Sequence, residues 1–306
     1  MRIKLSLLLL LVFVSLPLYS CRETDSGEYL SFRDSLGNSI DLDEKPTRVA
    51  VLISSLAEEW QLAGGEVAIT VGETVERGFV TSDTLLVDAG AGKHISTELL
   101  VSYAPDFVIA SADIDSHRDV AKTLSSAGIP CALFRVDSFN DYLGVLEIMT
   151  DITGNKEAYK KYGVDVKEKI DALLAAKPDV TRDVLFIRAS TSAKSTKAKS
   201  ADQHFVAGML AELGAHNIAD DAPILLDGLN MESIISKDPD VIFVSAMGDE
   251  AAVREYMDGV FSESSWGAVS AVKNGECYYL PKEYTQFKPN AEWYQAYLML
   301  WEMLYA

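Results

Sequence analysis

Two distant stretches of this chain repeat each other. ISTELLVSYAPDFVIASA runs from Ile95 to Ala112, and LNMESIISKDPDVIFVSA from Leu229 to Ala246. The offset is constant: Glu98 matches Glu232, Ser102 matches Ser236, Pro105-Asp106 matches Pro239-Asp240, and Ser111-Ala112 matches Ser245-Ala246. Each copy reads as a short helix, a Pro-Asp turn and an apolar strand ending in Ser-Ala. A duplicated unit of this kind predicts two similar α/β lobes, because each copy has an apolar strand to bury.

Between the copies lies NKEAYKKYGVDVKEKIDALLAAK, residues 155–177. Tyr159, Tyr162, Val166, Ile170 and Leu173 recur at steps of three and four, with charged residues filling the other side. The spacing predicts one helix of about six turns, roughly 34 Å long, able to hold two lobes apart. On either side, strands alternate with helices. SFRDSLGNSIDL suits a leading hairpin, and RVAVLISS reads as a strand entering a helix capped by Ser54-Ser55 and stopped by Gly64-Gly65. DVLFIRA opens the second half, STSAKSTKAKSADQ reads as a polar connection, and the aromatics of NAEWYQAYLMLWEMLY fall at core-packing spacing. The fold class that follows is α/β: two Rossmann-like lobes, residues 31–154 and 178–306, joined by a single long α-helix with a ligand cleft between them.

Residues 1–20 read as an export signal. Arg2 and Lys4 precede an apolar run from Leu7 to Leu18 that is short for a membrane span. Leu18-Tyr19-Ser20-Cys21 resembles a bacterial lipobox, which makes Cys21 a lipidated first residue and 21–30 a tether; the alternative is an ordinary secretory signal. Loss of Arg2 and Lys4 takes the formal charge from −19 to −21, which argues against nucleic acid as a partner. Cys131 and Cys277 sit in apolar strand-like runs, one per lobe, and read as lone thiols.

Against so acidic a background, one cluster stands out. Arg188, Lys194, Lys197 and Lys199 fall within twelve residues that contain no acid, directly after an apolar strand. They suit either an anionic ligand or a solvated loop. The four histidines are not at metal-ligand spacing, and His117, near Asp113 and Asp115, is the one tempting group. No nucleophile elbow, His-Glu-x-x-His or phosphate loop is present, and Ser54-Ser55 has no evident base, so no catalytic residue is assigned.

The order RVAVL…SSLAEEW…AGG, STELL…APDFVIASA, a long connecting helix, GMLAELGAHNIAD, NMESIISKDPDVIFVSA and WGAVSAVKNGECYYLP…FKPNAEW resembles the helical-backbone class of ABC-importer substrate-binding proteins, across nearly all of the mature chain. That class serves iron–siderophore complexes, haem and cobalamin. The resemblance implies a monomeric, exported receptor, anchored outside the cytoplasmic membrane through Cys21 and partnered by an ABC permease with its ATPase subunits. It implies no resident cofactor or metal, the cargo being an iron complex, haem or a corrinoid. It places permease-docking glutamates at Glu98 and Glu232; two separated carboxylates can pair with two arginine forks and fix orientation. It places ligand contacts on the loops after the strands: Ser54, Ser55, Arg77, Phe79, Lys93, Ser111, His117 and Arg118 on the first lobe, and Arg188, Lys197, Lys199, Met247, Tyr284 and Phe287 on the second. The rival readings are a receptor for free metal ions and a surface α/β enzyme.

Overall fold

The computed structural model describes residues 29–88 and 94–305. Cys21 and Lys93 lie outside the described residues. The chain opens with the expected hairpin, β1 (Leu30–Arg33) against β2 (Ser39–Leu42), turned at Gly37 with φ +81°. Asp34 ties the turn by accepting the Leu36 and Asn38 amides. It also accepts the Leu133 amide, which seats the hairpin on the edge of the first sheet.

That sheet contains β3 (Val49–Val51), β4 (Ile69–Thr70), β5 (Leu85–Leu86), β6 (Phe107–Ser111) and β7 (Cys131–Phe134), all parallel, in the order β5-β4-β3-β6-β7. The second sheet contains β8 (Asp183–Ala189), β9 (Lys197–Ala198), β10 (His216–Asn217), β11 (Val241–Ala246) and β12 (Cys277–Leu280), in the order β10-β8-β11-β12. Its strands are parallel except β9, which folds back antiparallel onto β8. The polar connection after DVLFIRA therefore carries a short strand that its composition concealed. Every residue of β6 and β11 is buried, because helices cover both faces of each sheet.

The duplication is geometric as well as textual. Ser96 and Asn230 cap the two equivalent helices, Thr97–Ser102 and Met231–Lys237. Ala104 and Asp238 both take left-handed φ, +47° and +43°, just before the Pro-Asp pairs. Asp106 then accepts the Arg48 amide at 2.9 Å, and Asp240 accepts the Asp183 amide at 3.0 Å. Each Pro-Asp aspartate thus fixes the start of the strand beside its own, and the two copies lie in separate sheets.

The helix Phe139–Thr153 ends at Gly154, whose φ of +80° suits a residue without Cβ. The connecting rod then runs as Lys156–Tyr159, Lys160–Val164 and Asp165–Ala175 without a break, but its middle segment is π-helical. The expectation of a uniform α-helix needs that correction. Gly163 packs so closely that a Cβ there would lie 2.7 Å from Leu143 Cδ1, and the Tyr142 hydroxyl donates to the Tyr162 carbonyl at 3.1 Å. The wider turn accommodates the close approach, and an outside donor satisfies a carbonyl within it. Val166 and Ile170 of the rod are buried in one apolar cluster that includes residues of both sheets and the C-terminal helix Trp293–Tyr305. Trp293 stands at its centre, 6.0 Å edge-on to Phe139 and 5.8 Å edge-on to Phe205. The lobes share a core as well as a rod, which stiffens their relative placement.

Candidate functional site

The strands of each lobe end at the seam. A cavity of about 210 Å³ lies there, bounded on one side by Ser55, Glu59, Glu73, Ser111 and Asp113, with apolar walls from Ile53, Leu56, Phe134 and Val136. The other side is the segment Gln286–Asn290 of the second lobe, through Gln286, Phe287, Lys288 and Asn290. A second cavity, of about 330 Å³, lies wholly in the second lobe and gathers Arg188, Lys197, Lys199 and Met247 with Ser195, Gln203 and His204. Arg188 donates to Gln286 Oε1 at 2.9 Å, so the two spaces meet at Gln286. A third cavity, of about 740 Å³, sits away from the seam between the hairpin and the helix Asp115–Ser126.

Electrostatics separate the two sides. The Lys288 ammonium lies 4.7 Å over the Phe205 ring and 3.4 Å from Asp137. Burial lowers its pKa, and Asp137 opposes that. Burial, with the charges of Arg188, Lys288 and Lys199, drives His204 down to about 3, so its ring stays neutral. Four cations therefore face this region in a chain of formal charge −19.

On the first-lobe side, Arg77 is enclosed. Its guanidinium lies between the rings of Phe79 at 4.5 Å and Phe287 at 4.1 Å. It donates to Ser54 Oγ at 3.0 Å and Ser55 Oγ at 3.3 Å, and pairs with Glu58 at 3.5 Å. Asn290 reaches across the seam and donates to Ser55 O at 2.9 Å and Glu58 Oε2 at 2.8 Å. Glu59 is 0 % exposed, and both of its oxygens lack a partner among the described residues, as do Asn290 Oδ1 and Trp293 Nε1. Burial and the Glu58 charge raise the Glu59 pKa well above the carboxylate range, which favours the protonated form.

The residues singled out from the sequence divide into groups. Ser55, Ser111 and Phe287 line the seam cavity, and Arg188, Lys197, Lys199 and Met247 line the basic one. Arg77 and Phe79 build the cross-seam stack, while Tyr284 packs against the shared core. Ser54 does not cap its helix: Ile53 holds the cap position, and the Ser54 hydroxyl donates to Glu73 Oε2 at 2.5 Å. His117 lines neither seam space. It is buried, its Nδ1 accepts the Ser111 amide at 3.1 Å, and burial lowers its pKa to about 4. Arg118 binds Ala112 O and Asp115 and lines the third cavity instead. Sequence reasoning missed Glu59, Lys288 and Asn290; the phrase FKPN, in a loop beside an aromatic helix, was the one local signal for the last two.

Ser54 bonds a carboxylate and a guanidinium, not a histidine base. Cys131 and Cys277 are free, half-buried thiols raised to about 12 and about 11, unsuited to nucleophilic work. Among the described residues no group of three or more His, Cys, Asp or Glu is placed to hold a metal ion.

Comparison with known proteins agrees with this geometry. No curated protein matches the sequence. Among solved structures, a possible iron-binding periplasmic solute-binding protein of Staphylococcus epidermidis ATCC 12228 superposes with TM-score 0.69 at 20 % identity, over 86 % of this chain and 100 % of its own. The periplasmic haem-binding protein HutB of Vibrio cholerae gives TM-score 0.66 at 20 % identity, over 85 % and 99 %. A protein of the ABC-type Fe3+-hydroxamate transport system of Saccharomonospora viridis DSM 43017 gives 0.66 at 18 % identity, over 90 % and 99 %. The model of one solute-binding family, described as periplasmic binding protein, matches residues 49–284, which include both sheets and the rod. This chain belongs to the periplasmic binding protein family.

Proposed function

We propose that the protein is an extracytoplasmic substrate-binding lipoprotein of an ABC importer that captures an anionic iron complex, a ferric siderophore or haem, at the seam between its lobes. One observation carries the reading: Arg188, Lys197 and Lys199 converge on a single cavity that meets the seam space at Gln286, in a chain of charge −19. Convergent cations in a partly dry cleft select anionic groups and speed their capture. The relatives point the same way: HutB is a haem-binding protein, and the Saccharomonospora viridis protein belongs to an Fe3+-hydroxamate transport system.

The seam space, about 210 Å³, is smaller than the roughly 300–1,000 Å³ of ligand pockets, and the basic one, about 330 Å³, stands at the bottom of that range, so a bulky complex needs both. Entry therefore requires Phe287 to part from Arg77, which joins the two volumes across Gln286. Cys21 carries the lipid anchor, and Glu98 and Glu232 pair with arginines of the permease. A corrinoid is the second reading, favoured by the same cations because its phosphate would meet them.

Tryptophan fluorescence titration against ferric hydroxamate, catecholate and carboxylate siderophores, haem and cyanocobalamin tests the assignment. The expected result is saturable, salt-sensitive quenching by one iron complex with Kd below about 1 μM. Binding of cyanocobalamin alone would move the assignment to corrinoids, and no binding by any of the set would overturn it.

A further inference from the structure

Each helix that precedes a Pro-Asp strand presents more than its glutamate. Glu98 and Glu232 are exposed and make no ion pair or side-chain hydrogen bond among the described residues. Three residues on, at the neighbouring position of the same helix face, stand Val101 and Ile235, 38 % and 41 % exposed. They too are repeat partners. Between them and the glutamates, Leu100 and Ile234 are buried and fix the rotation of each helix, so both helices turn the same face outward. Ser102 and Ser236 complete that face at equivalent exposed positions.

A single exposed valine or isoleucine needs no explanation. Two β-branched side chains at equivalent points of a duplicated fold, each beside an exposed carboxylate, are a different observation. Large apolar side chains this exposed are few among the described residues: Tyr29, Leu36, Leu99, Val180 and Ile224 are the others. No two of those five are repeat partners.

We infer that Val101 and Ile235 are paired apolar anchors of a two-point docking surface, whose partner presents the same apolar socket twice, each beside a basic side chain. The occupant is an ABC permease built from two like halves. Two-fold symmetry gives it duplicate sockets, and its basic groups complement Glu98 and Glu232. The carboxylates steer and orient; the anchors, desolvated on docking, slow release. The inference rests on the importer reading above and adds to it a partner geometry and an apolar contribution.

The test is binding of the purified protein to the source cell's permease–ATPase complex in lipid nanodiscs, with empty nanodiscs as control. Val101→Ser and Ile235→Ser, exposed positions that spare the core, should each weaken binding by a similar factor. Together they should weaken it about tenfold, chiefly in off-rate and with the salt dependence unchanged. Glu98→Gln with Glu232→Gln should weaken binding and flatten the salt dependence. If the serine pair binds like wild type while the glutamine pair does not, the anchors are overturned and the importer reading stands. If only one serine variant matters, the paired geometry is overturned. If the wild-type protein ignores the permease nanodiscs, the importer reading fails and the anchors with it.

Discussion

The Arg77 guanidinium of the first lobe lies 4.1 Å from the ring centre of Phe287 in the second. The contact crosses the seam, and Arg77 is held from behind by Ser54, Ser55 and Glu58. A cation–π contact this enclosed contributes about 1–2 kcal/mol. Phe287→Ala should lower the unfolding free energy by about that amount and raise hydrogen exchange in the helix Ser54–Leu62. Exchange at the wild-type rate would show that the stack does not hold the seam.

Glu59 makes stability pH-dependent in a definite sense. Its folded pKa is raised above 4.5 by burial, so the folded state keeps a proton that the unfolded chain releases. The stabilisation is complete below about pH 4.5 and is lost as pH rises through the raised value. Glu59→Gln keeps the shape and removes the titration. The variant should match wild type near pH 4.5 and exceed it by about 1–3 kcal/mol in denaturant melts at about pH 8. Parallel curves would mean that the carboxyl finds solvation the seam does not display.

His117 has the opposite sign. Its pKa falls from 6.5 to about 4, because burial disfavours the charged ring whose Nδ1 accepts the Ser111 amide. The unfolded chain takes a proton near 6.5 and the folded one only near 4. Stability is therefore full above pH 6.5 and declines as pH falls towards 4, by about 3 kcal/mol over the whole shift. His117→Asn retains an acceptor for the Ser111 amide and should flatten that decline relative to wild type. His204 titrates in both proteins, so the difference between their curves isolates His117.

Arg188 links the basic cavity to Gln286. Arg188→Ala should weaken an anionic iron complex tenfold or more, about 1.4 kcal/mol or above, and leave a neutral ferric hydroxamate nearly unaffected. Calorimetry with the two ligand types distinguishes lost charge from lost shape: equal weakening of both would assign Arg188 to the architecture of the cavity.

Much of the frame was legible because it is written in local periods. The stripe Tyr159, Tyr162, Val166, Ile170 and Leu173 does pack against the shared core. Glu98 and Glu232 do occupy equivalent helical positions, and Arg188, Lys197 and Lys199 do meet in one cavity. Less legible were features that depend on a neighbour distant in sequence. The π-helical turn arises where Gly163 meets Leu143, and nothing in KKYGV alone announces it. The family resemblance places His117 among the ligand contacts; the fold uses its Nδ1 to accept the Ser111 amide.

The sequence by itself determined two α/β halves, their equivalence and the rod between them, because hydrophobic periodicity and a repeated motif report which face of an element is buried. Only the tertiary structure decided that Asn290 would bond Ser55 across the seam, that Lys288 would line the seam cavity, and that Glu59 would lie buried without a partner among the described residues. A pattern along the chain records burial. It does not record which distant side chain supplies the neighbour, and the seam is made entirely of such neighbours.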